Sequence, residues 1–236
     1  MNQTIDLLRR HVSVREFTEE SIPSDLLREL LEAGRCAPTW RALQSYSIVI
    51  TTPEQRAALF GLLGQQFIVD CAEFLVFVGD LSRAATSLAA RGVEPVFAGV
   101  EPLLISSVDA ALAAQNVLVA AESVGLGGVY CGYLRHFSAE TAELLDLPKY
   151  TYPLMGLALG TPKVVNPPKP RLPYDTIVHS GTYRPVDPAV LDAYDQTILA
   201  YPVDQRGDVW SDRFKDQFGQ PGQRSSTVFQ QQADLA

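Results

Sequence analysis

The feature that most constrains this chain is an apolar stretch at residues 103–124, the longest in the sequence. A run of that length is long enough to cross a bilayer and has to be buried somewhere. It contains Asp109, Gln115, Asn116 and Glu122 and lacks basic flanks, which points to a buried helix rather than a membrane span. Its many small residues let another backbone approach closely, so the helix is expected in the middle of the structure or across a subunit interface. The remaining composition supports a core: 47% of the 236 residues are hydrophobic and 19% charged, enough for one large domain or two small ones. With 19 Lys and Arg against 27 Asp and Glu, the net charge of −8 opposes a nucleic-acid partner, which would require a basic footprint. The three cysteines, Cys36, Cys71 and Cys131, form no CxxC and read as reduced thiols. The first residues mix acid and base before any apolar run, so no secretory signal is expected and a cytoplasmic location is.

Periodicity places helices over residues 4–10, 23–35, 53–63, 103–123, 138–145 and 188–201, the helix at 138 capped by Ser138. Strands are expected at 47–51, 74–78, 129–134 and 152–159. The uninterrupted Phe74-Leu75-Val76-Phe77-Val78 reads as a central strand buried on both faces. Gly34 and Pro38 close the second helix, and residues 93–102 read as a mobile loop or lid. From 160 to 173 the prolines prevent regular structure. Two helices come first and helices outnumber strands, so the class is α+β with layers around one sheet.

Self-contained catalytic motifs are missing. The nearest approach to GxGxxG, at Gly125-Leu126-Gly127-Gly128-Val129-Tyr130, lacks the last glycine and follows a helix instead of a strand. The three histidines, His11, His136 and His179, show no metal spacing. An enzyme with this sequence therefore needs a cofactor to carry its chemistry. Three stretches offer binding groups. In an extended segment His11, Ser13 and Arg15 point the same way, a cation, a hydroxyl and a guanidinium suited to an anion or a heterocycle; plain surface polarity is the competing account. Lys169-Pro170-Arg171 fixes two cations on a stiff backbone, against the simpler reading of a solvated proline-rich loop. Gly127 to Gly132 offers glycines where a ligand can approach the main chain, or merely a helix stop and a core strand.

HxSxRxF at residue 11, GLGGVYCG after the long helix and KPRLP after the proline-rich loop, in this order and spacing, resemble the nitroreductase superfamily, and within it the NADPH-dependent nitroreductase and flavin reductase group. The likeness covers about residues 2–215 and includes Ala72-Glu73-Phe74, Ala121-Glu122-Ser123 and Trp210-Ser211-Asp212. It implies an α+β fold with a central mixed sheet flanked by helices, a homodimer with a long buried core helix, and FMN at the subunit interface. The implied activity is ping-pong transfer of hydride from NADPH or NADH through FMN to nitroaromatics, quinones or free flavin. Residues 1–202 would form the FMN-binding domain and 203–236 a C-terminal extension of it. By resemblance, His11 and Ser13 contact the FMN phosphate and ribityl chain, and Arg15 the pyrimidine edge. Thr39 stands at a small-hydroxyl position, and Gln44 and Gln65 supply amides near the ring. Tyr130, Cys131 and Gly132 line the ring edge with backbone, Lys169 and Arg171 close on the phosphate, and Arg206 is the cation for the NADPH 2′-phosphate. Val12, Gln66 and Tyr133 depart from the group's usual Arg, basic residue and Gly. Two other classes stay open: a flavin-holding protein with little turnover, because Tyr133 narrows the pocket, and a scaffold whose apolar helix is only a dimerisation device.

Overall fold

The structure, a computed structural model, describes residues 2–203 and 209–219. These fall into two compact units, the second beginning at Asn166.

The first unit is built on a four-stranded sheet of order β1-β2-β4-β3, formed by β1 (Tyr46–Ile50), β2 (Glu73–Asp80), β3 (Gly127–Cys131) and β4 (Thr151–Gly160). Every strand pair is antiparallel, so the expected mixed sheet is corrected: its parallel component is one bridge, Ser13 to Gly128. As its apolar run requires, β2 lies inside the sheet and is buried on both faces. Phe74, Val76 and Val78 join one core cluster, with Leu59, Ile68 and Leu134; Leu75 and Phe77 join the other.

Around the sheet lie α1 (Gln3–Arg9), α2 (Ser24–Arg35), α3 (Pro53–Leu63), α4 (Phe67–Asp70), α5 (Ser82–Ala89), α6 (Glu101–Ser123) and α7 (Ser138–Leu144). The start of α3 is fixed by a capping box between Thr52 and Gln55 with Pro53 behind it, which satisfies amides that a helix start leaves open. The long apolar helix is α6. Long and apolar enough to cross a membrane, it instead packs on α2 and on all four strands, burying Ser106, Asp109 and the Ala110–Ala121 face. Burial is one-sided, however: Leu104, Val108 and Leu112 form an exposed stripe at four-residue spacing. Gly34 does not end α2 but lies inside it, because a Cβ there would sit 2.4 Å from Cγ2 of Val117 on α6.

Three further expectations change. The third strand is Gly127–Cys131, not 129–134, because its ladder to β4 begins at Gly127 and the chain coils into a 3-10 stretch, Gly132–Phe137, directly after Cys131. Gly128 is a strand residue whose missing Cβ makes room for the Ala158 carbonyl, 2.7 Å from where that atom would be; sheet packing, not ligand approach, accounts for it. Ser138 does not cap α7: the 3-10 stretch runs into the helix, and the Ser138 hydroxyl is buried without a partner among the described residues. Residues 93–100 are irregular and carry Phe97 edge-on to Tyr150, with 5.2 Å between centroids, but Glu101 and Pro102, expected in this loop, already form the first turn of α6.

The second unit carries α8 (Tyr174–Ile177), α9 (Pro188–Leu199) and α10 (Asp212–Phe218), in this order after the proline-rich segment. Asp187 caps α9 through the Ala189 amide at 2.9 Å.

Candidate functional site

After α1 the chain becomes extended, and Ser13 pairs with the start of β3; the Val14 amide donates to the Gly128 carbonyl at 2.9 Å. Val14 is buried in the core and Val12 packs against the same cluster, so the period of two turns His11, Ser13 and Arg15 the other way; the buried Phe17 lies beyond this alternation. Ser13 and Arg15 are exposed, and Arg15 makes no ion pair or hydrogen bond among the described residues. His11 is half-buried, and its Nδ1 lies 2.5 Å from Oε1 of Glu122 in the last turn of α6. A carboxylate only accepts, so this contact assigns the Nδ1 proton and leaves Nε2 for another partner. Tyr130 on β3 faces α6, its hydroxyl donating to Gln115 Oε1 at 3.3 Å. Burial first, and the Glu122 charge second, push its phenol up, so it stays neutral.

Cys131 points to the opposite face of the sheet, into the core, where burial pushes its thiol up. Tyr130 and Cys131 thus cannot both turn side chains toward one ligand; Cys131 has only its backbone to offer on that side. Gly132 opens the 3-10 stretch, and the exposed Tyr133 leans on His136 and Phe137, with centroids 4.9 and 5.8 Å away.

The loop before β1 brings Thr39 and Gln44 together: the Gln44 amide donates to Thr39 Oγ1 at 3.3 Å. Its backbone is unusual, with Arg41, Ala42 and Gln44 at φ 49°, 57° and 54°, a region that costs L residues about 1–2 kcal/mol each. Long-range polar contacts hold it. On α6, Asp109 accepts the Trp40 amide at 2.9 Å and the Ser45 amide at 3.0 Å. On α5, Arg83 donates to the carbonyls of Gln44 (2.7 Å) and Tyr46, to Ser47 Oγ (2.9 Å) and to Asp80 (2.9 Å). Burial would raise the Asp80 carboxyl, but hydrogen bonds from Ser47 and Ser82 and the Arg83 charge outweigh it and hold the group below its usual range. Gln65 sits half-buried at the α3–α4 corner, its carbonyl accepting the Ile68 amide at 3.1 Å.

In the second unit the phenols of Tyr194 on α9 and of Tyr201 just after it donate to the carbonyls of Pro170 (2.8 Å) and Pro167 (2.6 Å), so the segment bearing Lys169 and Arg171 is held by these two tyrosines as well as by its prolines. Arg171 is exposed and also donates to the Lys169 carbonyl at 2.9 Å. Trp210 meets Tyr194 edge-on at 5.1 Å, and Ser211 gives its amide and hydroxyl to buried Asp195. Arg206 lies outside the described residues.

The sequence profile described as the Nitroreductase family matches residues 8–161, and that of its C-terminal domain matches residues 169–232. The chain belongs to the nitroreductase family. It is 39% identical over 223 residues to an oxygen-insensitive NADPH nitroreductase of Salmonella typhimurium, covering 91% of this chain and 90% of the relative. Among solved structures it is similar to nitroreductase A from Vibrio parahaemolyticus (TM-score 0.91, 36% identity, covering 100% of this chain and 98% of that one). It is likewise similar to the NADPH:FMN oxidoreductase from Vibrio harveyi complexed with NAD+ (TM-score 0.88, 36% identity, 98% of each chain).

In this nitroreductase-family chain the sheet therefore gathers His11, Ser13 and Arg15 beside Tyr130–Gly132, while Thr39 and Gln44 form a separate pair. Sequence reasoning missed the residues that hold these groups: Glu122 behind His11, Gln115 behind Tyr130, and Asp109 and Arg83 behind the loop. One signal was available, a single aspartate inside an apolar, Ala-rich helix. A charge in such a run has to be compensated by something from another part of the chain.

Proposed function

We propose that this nitroreductase-family oxidoreductase binds FMN and uses it to pass hydride from NADPH or NADH to nitroaromatics, quinones or free flavin, by a ping-pong route, in a homodimer. The observation that carries the reading is the outward row His11, Ser13 and Arg15, laid beside β3 by the Ser13–Gly128 bridge. Arg15, exposed and without a partner among the described residues, and the exposed Ser13 hydroxyl suit the anionic, donor-seeking edges of a flavin nucleotide. When bound, the flavin supplies the hydride-carrying centre. The chain's own groups bind and orient it: Arg15 offsets negative charge at the pyrimidine edge, His11 and Ser13 meet the ribityl phosphate, and Lys169 and Arg171 are the cations proposed for the phosphate. The Cys131 and Gly132 backbone and neutral Tyr130 border the ring, with the Gln44 and Gln65 amides and the Thr39 hydroxyl as further partners.

Two observations support the dimer. Asp109, which anchors the Thr39–Gln44 loop, and Glu122, which anchors His11, lie about 20 Å apart along α6, at roughly 1.5 Å of rise per residue. This separation of the two anchors favours, in this reading, a ligand reached by the loop of one copy and the His11 row of another. The exposed Leu104, Val108 and Leu112 stripe gives those copies an apolar face to bury. Light scattering should return twice the chain mass of 25.8 kDa, and a monomer at micromolar concentration would contradict the shared site.

The activity test is steady-state oxidation of NADPH with a quinone as acceptor. Parallel double-reciprocal lines are expected at varied acceptor. No turnover above the protein-free rate would overturn the enzyme reading.

A further inference from the structure

We infer that Asp109 is a positioning residue that holds residues 39–45 in the conformation the ligand requires, which rests on the assignment of Thr39 and Gln44 to the flavin site. Asp109 is 1% exposed, within a helix face otherwise formed by Ala, Val, Leu and the single hydroxyl of Ser106. A carboxylate in such surroundings is costly unless donors face it, and an apolar side chain would fill the space without that cost. Two donors do face it, one for each oxygen: the Trp40 amide on Oδ1 at 2.9 Å and the Ser45 amide on Oδ2 at 3.0 Å. They stand at the two ends of the loop. Between them lie the three left-handed residues Arg41, Ala42 and Gln44, none of them the glycine or asparagine that adopts this region readily.

A free loop of this sequence would leave that conformation, each of the three residues disfavouring it by roughly tenfold. Asp109 closes the loop across both ends, and the Gln44 amide on Thr39 Oγ1 then draws the two candidate residues together. The loop held in this way presents Trp40 and Leu43 outward, 55% and 56% exposed, an apolar edge beside those two polar groups. Asp109 touches no reacting atom; its effect on binding passes entirely through the backbone it holds.

Hydrogen exchange on the wild-type protein is the first test, because no variant has to fold. The Trp40 and Ser45 amides should exchange as slowly as those of β2, and fast exchange at both would overturn the inference. The second test is Asp109→Asn, which keeps the shape but replaces one acceptor with a donor. FMN binding to the apoprotein, read by fluorescence quenching, should weaken about tenfold, while β2 amides keep their protection. Adding Ala42→Gly, which makes the left-handed region accessible at that position, should restore a few-fold of the loss. A residue that merely packed α6 would show no such rescue, and equal affinities in Asp109→Asn and wild type would also overturn the inference. If the wild-type protein binds no FMN, the flavin reading fails, whereas the exchange data still decide whether Asp109 holds the loop.

Discussion

Residues 11–15 and residues 39–45 both carry candidate site groups and both lean on α6, yet they are held in opposite ways. The first stretch is held chiefly by its backbone, with the Glu122 side chain fixing only the His11 ring at its start. It pairs with β3, buries Val14, and presents His11, Ser13 and Arg15 because alternation leaves no other choice. The second is held by side chains acting against its backbone preferences: Asp109 on one side, Arg83 and Asp80 on the other, with three residues in the left-handed region. A pairing-held segment displays its site in its sequence pattern. A loop held by distant charges does not, and its integrity depends on residues far from it in the chain.

The largest effect is expected where the first mode is broken at its root. Gly128→Val puts a side chain against the Ala158 carbonyl and Leu118, and should cost about 3 kcal/mol, lowering Tm by roughly 6–12 °C in thermal unfolding. An unchanged Tm would mean that strand packing does not require this glycine. Next, Arg15→Ala removes an exposed side chain with no partner among the described residues, so stability should hold within about 0.5 kcal/mol. FMN affinity should nevertheless fall about tenfold or more, and likewise for Arg171→Ala, as expected on losing a charge-assisted hydrogen bond. Calorimetric titration that finds wild-type affinity in both variants would remove the two cations from the site.

A smaller effect distinguishes the second mode by its acid response. Asp80 has a depressed carboxyl, so its contribution to stability is complete at neutral pH, begins to fade at the ordinary carboxylate value, and is lost as pH falls through the depressed one. Amide exchange at residues 44–46 should therefore accelerate in that acid window, and Asp80→Asn should remove this part of the dependence. A pH-independent loop in wild type would show that the Asp80–Arg83 contact does not hold it. The smallest effect is expected at Cys131, whose thiol faces the core and is kept protonated by burial. FMN affinity in Cys131→Ala should stay within about twofold of wild type, the range for a group that contributes only backbone; a larger loss would show that the thiol matters.

This contrast also explains what was legible in the sequence. The buried strand at Phe74–Val78, the capped α3 and the amphipathic α2 follow from local patterns, and so does the outward row at residue 11. Helix α5 escaped because its start is marked by Asp80, a strand residue whose carboxylate takes the Ser82 amide and hydroxyl. The extent of β3 was misjudged because Gly127 and Gly128 look like a helix stop until β4 is seen pressed against them. The exposed side of α6 was hidden by its composition, which is apolar on every face. The roles of Glu122, Asp109 and Arg83 depend on contacts between residues distant in sequence, to which periodicity is blind.

Titration of the purified apoprotein with FMN tests most directly whether the His11–Arg15 row holds a flavin. One FMN per chain should bind with quenched fluorescence, and the complex should bleach at the flavin band when NADPH or NADH is added under anaerobic conditions. A protein that leaves FMN fluorescence unchanged, or binds FMN without any bleaching by either nucleotide, would contradict that assignment.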